Sequence, residues 1–248
     1  MPRWPIVLLL PLAGCGGSYN WGWYVVLPTN TQGLTNLEFL LAGLGATIAL
    51  SLCAIVLSVT IGLLVALPGL SSYRLARGLS RAYVELFRAI PILVMLLWVY
   101  YGLPVVLGLS LNAFVAGMLA LALCDSAFEA EIFRAGVQSI ERGQIEAADS
   151  LGLTYFDKMR YIILPQAIRR VLPPLGNQFV YMLKMSSLVS VIGLTELTRR
   201  ANELVVSQYR PLEIYTFLVL EYLALILIAS QLVRRMERRM RADERMAR

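Results

Sequence analysis

From Phe39 to Tyr73 the chain has no charged side chain, and within that stretch residues 37–67 read "LEFLLAGLGATIALSLCAIVLSVTIGLLVAL". Such a run leaves few folds open. At 1.5 Å of rise per residue a helix of this length exceeds the roughly 20 residues that cross a bilayer. It must therefore tilt or protrude, and Pro68-Gly69 should end it.

Four more apolar runs follow. Residues 90–103 form the second, which begins within "RAYVELFRA" and should be kinked at its entry by Pro91. Residues 111–137 are apolar at first and then carry acids. Residues 174–194 are interrupted by Asn177, Lys184, Ser186 and Ser187, and residues 215–233 run into an arginine-rich tail. The chain is 58% hydrophobic and 15% charged, where a soluble domain carries roughly a quarter charged residues. We therefore read an all-α integral membrane protein with about five transmembrane helices.

The net charge of +6 is almost wholly arginine, since Lys158 and Lys184 are the only lysines. The arginines sit between the apolar runs and in the tail, where they set orientation, so nucleic acid is not expected as a partner. Arg74, Arg77, Arg81 and Arg88 follow the first run; Arg142, Lys158, Arg160, Arg169 and Arg170 follow the third; Arg234 to Arg241 follow the last. Positive-inside reasoning puts the N-terminus outside and the C-terminus in the cytoplasm. One stretch opposes this: "TELTRRANELVVSQYRPLE" should lie outside, yet it holds Arg199, Arg200 and Arg210. Cys15, Cys53 and Cys124 have no paired spacing, and there is no histidine, so no metal site is expected.

Charges inside the runs are the first functional candidates, because an intramembrane carboxylate costs about 2.5–3.5 kcal/mol on insertion scales. Asp125 and Glu129 share a helix face. Either they begin the solvated end of the third helix, or they line a pathway and meet the amino group of a substrate. Glu131 points elsewhere and lies three residues before Arg134, an easy ion pair. Lys184, alone of its kind in a span, either snorkels or pairs with an acid of the third run, or serves as a gate or carboxylate contact. Asn177 is helix–helix glue or a substrate ligand, Ser187 is a further pathway candidate, and Glu221 should make a buried hydrogen bond to another span. Trp98, Tyr100 and Tyr101 read as an interfacial belt.

The most informative segment lies between the third and fourth runs: "EAADSLGLTYFDKMRYIILPQA". Residues 146–151 are good helix formers, and Gly152 is free to take the left-handed conformation that closes a helix. Thr154 and Asp157 then form a capping box for a second helix, and Pro165 marks a boundary or kink before the next span. The expectation is a rigid helical knob between two spans.

This segment resembles the EAA loop of bacterial ABC-importer permeases, whose pattern is Glu-Ala-Ala, three residues, Gly, nine residues, Ile, one residue, Leu-Pro. Glu146-Ala147-Ala148, Gly152, Ile162 and Leu164-Pro165 meet every position. "AYVELFRAIPILVMLLWVYYGLP", "EIFRAGVQSI" and "LPQAIRRVLPPLGNQFVYMLK" are similar to the polar amino-acid uptake branch, and the likeness runs from about residue 20 to residue 239. The resemblance implies a type I ABC-importer permease fold with a cytoplasmic coupling helix. It implies that Glu146, Ala147, Ala148, Gly152 and Leu153 couple to an ATPase dimer, that a second permease subunit, identical or paralogous, completes the pathway, and that an extracytoplasmic binding protein delivers a polar amino acid. No cofactor is expected on this chain: there is no Gly-Lys pair, so a phosphate-binding Walker loop is impossible, and ATP and magnesium belong to the partner. The protein is expected in the bacterial inner membrane, as a transport subunit and not an enzyme. The alternative is a self-contained secondary transporter or channel, but no inverted repeat is visible and the loop would then have no purpose.

Residues 19–233 are thus read as the permease domain, with the loop at 142–165, and residues 234–248 as a basic tail. Residues 1–18 form an apolar appendage, signal-like or interfacial, ending in "LAGC". Those letters match the end of a lipoprotein signal. However, Pro5 and Pro11 break the short apolar run, and lipidation at Cys15 is the lesser reading.

Overall fold

In the computed structural model, which describes residues 19–246, the first apolar run is two helices, α1 (Thr31–Leu41) and α2 (Leu44–Gly69). Asn30 caps α1 by accepting from the Gly33 amide at 2.6 Å. The break falls at Gly43, where an added Cβ would lie 2.7 Å from the Leu197 amide nitrogen. Only a residue without a side chain lets α10 (Leu197–Gln208) approach so closely.

α2 is apolar all round, and its inward face is recognised by size. Thr47, Ser51, Ala54, Ser58, Gly62 and Ala66 recur every three or four residues and are buried. Leu52, Val56, Leu63, Leu64 and Leu67 face outward. In a membrane, where lipid is as apolar as leucine, small residues let backbones approach and large ones meet the acyl chains. The facing stripe is supplied by α6 (Ala113–Gln138), through Ala116, Ala120, Cys124, Ala127 and Ala130. α6 is capped by Asn112 at 2.8 Å and forms the centre of the molecule. Around it Leu50, Leu96, Leu121, Met182 and Val189 close the main core.

α3 (Arg74–Ala89) and α4 (Ile92–Leu97) meet at Pro91. The expected kink is a corner: the two arms turn by 96°. Ile90 at φ −86°, ψ 124° and Pro91 at ψ 134° are both extended, because the proline ring excludes the helical conformation from the residue before it. α4 passes through a π-helical stretch, Trp98–Gly102, into α5 (Leu103–Leu107), which ends at Gly108 with φ +67°. Trp98 and Tyr101 lie exposed on this arm.

After α6 come α7 (Arg142–Ser150) and α8 (Tyr155–Asp157). A second π-helical stretch, Lys158–Ile163, leads into α9 (Leu164–Met185) and a 3-10 continuation, Ser186–Ile192. Pro165 was expected to mark a boundary or kink, and the fourth apolar run to begin at Pro174. Instead the helix is continuous from Tyr155 to Ile192 and contains Pro165, Pro173 and Pro174. Both π-helical stretches lie immediately before a proline in the next helix's first turn, Pro104 and Pro165. Widening the register just before the ring accommodates the hydrogen bond that proline cannot donate.

The stretch expected as an external loop is the helix α10, and α11 (Pro211–Met246) carries the last span and the basic tail as far as Met246 as one helix. The three arginines that oppose the charge rule are all engaged by the protein. Arg199 pairs with Glu203 at 2.8 Å, and Arg200 donates to the Phe39 carbonyl and lies 4.7 Å over the Phe39 ring. Arg210 donates to the Asn20 carbonyl. Beside it Glu213 accepts from the Tyr19 hydroxyl at 2.5 Å and the Gly22 amide at 2.6 Å, which fastens the first described residues to α11. The Tyr19 phenol is held above its ordinary pKa by that carboxylate.

Among the described residues three stretches are long and apolar enough to cross a membrane: Thr31–Gly69, Ala113–Gln138 and Pro211–Arg238. Counting each bent pair as one span, α3 with α4–α5 and the α9 helix with α10, gives five. Residues 1–18, including Cys15, lie outside the described residues.

Candidate functional site

The knob between α6 and α9 is built by its own backbone. The Gly152 amide donates to the Asp149 carbonyl at 2.9 Å, and the Leu153 amide to the Ala148 carbonyl at 3.1 Å. Together these are the paired bonds of a Schellman closure, which needs a left-handed residue at its centre; Gly152 supplies φ +72°. Ala148, the α7 residue the closure folds against Leu153, is the one buried residue of that helix. Glu146 and Ala147 remain exposed.

Thr154 then accepts from the Asp157 amide at 3.2 Å and gives its hydroxyl proton to Asp157 Oδ2 at 2.5 Å. The capping box therefore closes through the threonine side chain, where its usual form uses the backbone N–H. Lys158 Nζ reaches Asp149 Oδ1 at 2.5 Å and ties the two arms. Leu151, Tyr155 and Phe156 are 78%, 73% and 67% exposed around the tip. The knob is thus a short helix with fixed ends and an exposed apolar apron. Its base is anchored where α6 crosses α9: an added Cβ on Gly136 would fall 2.2 Å from Val171, and Arg170 donates to the Ser139 carbonyl. A push on the knob therefore reaches both helices.

The residues expected along a pathway separate into two groups. Asp125 and Glu129 are 3% and 0% exposed, enclosed by α2, α6 and α9, so they do not begin a solvated helix end. Asp125 Oδ1 accepts from Gln178, and Glu129 Oε2 accepts from Ser58 Oγ at 2.7 Å. Asp125 Oδ2 and Glu129 Oε1 have no donor among the described residues. Asn177 and Lys184 stand exposed on α9, with Tyr181 between them and Ser187 one turn on. Spaced by four and three residues, they form one stripe. Lys184 and Ser187 line a groove of about 440 Å³ against Val219, Tyr222, Leu223 and Ile226 of α11.

Lys184 makes no ion pair with the acids of α6; Asp125 is held by Gln178 on another side of α9, and Glu129 by Ser58 of α2. Glu131 and Arg134 do pair as expected, at 2.5 Å. Glu221 is buried, but among the described residues the expected hydrogen bond is absent and both its oxygens lack a donor. Sequence reasoning did not single out Ser58 and Gln178. The small-residue stripe of α2 would have marked Ser58 as inward-facing. Gln178, one residue after Asn177, had no such mark.

A sequence model described as "binding-protein-dependent transport system inner membrane component" matches residues 58–242. The glutamine transport system permease protein GlnP of Escherichia coli (strain K12) is 36% identical over 206 residues, covering 83% of this chain and 94% of the relative. The arginine transport system permease protein ArtQ of Bacillus subtilis (strain 168) is 32% identical over 211 residues, covering 85% and 96%. Among solved structures, a chain of "an amino acid ABC transporter with histidines" is 42% identical with a TM-score of 0.78, covering 83% of this chain and 96% of that one. An inward-facing chain of the MetNI methionine ABC transporter, 20% identical, shares the fold at a TM-score of 0.69, covering 82% and 97%. The chain therefore belongs to the family of binding-protein-dependent transport system inner membrane components, as a multi-pass permease subunit of an ABC importer whose ATP is hydrolysed by a separate subunit.

Proposed function

We propose that this permease passes a polar amino acid, received from an extracytoplasmic binding protein, along a pathway it forms with a second permease subunit, identical or paralogous. The observation that carries the coupling is the Schellman-closed knob with its exposed Glu146, Ala147 and apolar tip. Each knob of the permease pair seats in one subunit of an ATPase dimer, which uses ATP and magnesium, so the knob side and the C-terminus are cytoplasmic and the N-terminus is outside. The substrate class rests on the amino-acid transporters among its relatives.

Asn177, Lys184 and Ser187 face the pathway, since they share the open stripe of α9 that a second subunit would cover. Asp125, linked to that helix through Gln178, and Glu129, held by Ser58 of α2, lie one layer behind. A substrate ammonium that reaches them would supply the donors that Asp125 Oδ2 and Glu129 Oε1 lack.

Uptake of a labelled amino acid into proteoliposomes, with arginine, glutamate, glutamine and histidine as competitors, tests the reading. At least one competitor should suppress uptake. The D125N/E129Q double variant should reduce uptake by about tenfold or more at equal incorporation, in line with loss of charged hydrogen bonds. Unchanged uptake in that variant removes Asp125 and Glu129 from the pathway, and no competition by any of the four contradicts the substrate class.

A further inference from the structure

We infer that the amino acid this permease carries is cationic, with a guanidinium or ammonium on its side chain as well as its α-ammonium. The inference rests on the reading that Asp125 and Glu129 meet the transported substrate, and it comes from the charge balance of the layer that holds them. α2 has no charged residue between Leu44 and Gly69, and α9 has none from Val171 to Leu183. On α6 the only cation is Arg134, which is committed to both oxygens of Glu131 and to Gln138. None of the ion pairs among the described residues includes Asp125, Glu129 or Lys184. The three helices that enclose the pair therefore bring two carboxylates to that layer and no free cation.

The protein's own donors reach only half of the pair. Gln178 donates to Asp125 Oδ1, and Ser58 Oγ donates to Glu129 Oε2 at 2.7 Å; both donors are neutral. Asp125 Oδ2 and Glu129 Oε1 are left, one oxygen on each residue. A metal ion does not fit this set. Hard cations take six or so oxygen ligands, whereas Ser58 and Gln178 turn hydrogens toward the carboxylates. No third acid, histidine or cysteine completes a metal-binding group among the described residues. An organic cation brings its own N–H donors.

Charge then ranks the substrates, because an enclosed carboxylate is costly unless it is paired. A neutral amino acid offers one ammonium to two carboxylates, and an acidic one adds negative charge. A cationic amino acid brings two positive groups, one for each. Asp125 and Glu129 stand one helical turn apart, about 6 Å along the axis, so one extended substrate touches both. The approach is along α9. Gln178 is half-buried and lies three residues before Tyr181, on the same side of the helix. Tyr181 is exposed in the stripe of Asn177, Lys184 and Ser187, where its ring face attracts a cation entering from the pathway. Rotation of the Gln178 side chain then opens Asp125 to it.

Equilibrium binding to the assembled permease–ATPase complex tests this, with L-arginine, its uncharged isostere L-citrulline, and L-glutamate as probes. Leaving out the binding protein makes the permease the only selector. Arginine should bind about tenfold or more tightly than citrulline, as one charge-assisted hydrogen bond predicts, and glutamate should bind most weakly. D125N/E129Q should remove the preference for arginine. Equal binding of arginine and citrulline to the wild type, or no binding of arginine, overturns the inference whether or not the double variant folds. So does an arginine preference that survives D125N/E129Q. If the wild-type affinities are equal and D125N/E129Q weakens both alike, the carboxylates hold the α-ammonium of any amino acid: the pathway reading stands and the cationic class falls. If D125N/E129Q changes neither affinity, both fall.

Discussion

A Gly152→Val permease will insert and fold but lose most of its ATP-driven uptake, by roughly five- to thirtyfold. Gly152 holds φ +72°, and nothing lies within 4 Å of where its Cβ would stand. The penalty is therefore conformational and not steric crowding. A left-handed backbone costs an ordinary L-residue about 1–2 kcal/mol, and 1–2 kcal/mol is a factor of 5–30 in a two-state population. The strain is relieved by opening the closure between Ala148 and Leu153, which displaces Glu146 and Ala147 from the docking position. Gly152→Asn should keep most activity, since asparagine tolerates the left-handed region, and Gly152→Ala should fall between. Co-purification with the ATPase should follow the same order. Wild-type uptake in the valine variant would show that the shape of the knob is not used.

Gly62→Leu should act on the fold itself. A Cβ at Gly62 would meet Glu129 Cβ at 2.8 Å, the Ser126 carbonyl at 2.9 Å and the Ala130 amide nitrogen at 3.1 Å, two of them backbone atoms that cannot rotate away. Overpacking of this kind costs about 1–3 kcal/mol. Forcing α2 from α6 also strains the Ser58–Glu129 hydrogen bond, and an unmade bond to a buried carboxylate costs about 1–3 kcal/mol more. The melting midpoint in detergent should drop by on the order of 10 °C. Gly45→Leu is the control: Gly45 is exposed, with nothing within 4 Å of its Cβ position, and its midpoint should stay near wild type.

The knob was legible in the sequence because every contact that makes it is local. Helix formers, a glycine six residues after Glu146, and Thr154 ahead of Asp157 specify a closure and a cap whose bonds span a few residues. The apolar runs marked the candidate spans for the same reason, three as long helices and two as bent helix pairs among the described residues. Angles were not legible: Pro91 forbids a helical Ile90, but whether the arms then turn a little or by 96° depends on what α3 packs against. Pro165 was read as a boundary or kink, and the fourth run as beginning at Pro174, because a local rule cannot anticipate a π-helical register shift upstream. The carboxylates of α6 were ambiguous because what surrounds them is distant in sequence. Glu129 meets a serine 71 residues away, and Asp125 a glutamine 53 residues away. Charge type and spacing place them on one helix face; only the packing of α2 and α9 determines that the face is enclosed.

The same distinction accounts for Arg199, Arg200 and Arg210. As a count they oppose the inferred orientation, but each is occupied by a carboxylate or a carbonyl of the protein. Those contacts explain how three arginines are held at this end; the positive-inside rule counts Lys and Arg and gives acids little weight, so it still counts them against the orientation.

Coupling of ATP hydrolysis to transport through the knob is tested most directly by uptake into proteoliposomes that hold this permease and its binding protein, with and without the ATPase. Uptake should require both the ATPase and enclosed ATP, and should fall in the Gly152→Val protein even when the ATPase is present. Uptake that persists without the ATPase, at the same rate and equally in wild type and Gly152→Val, would contradict the account and point to a self-contained transporter.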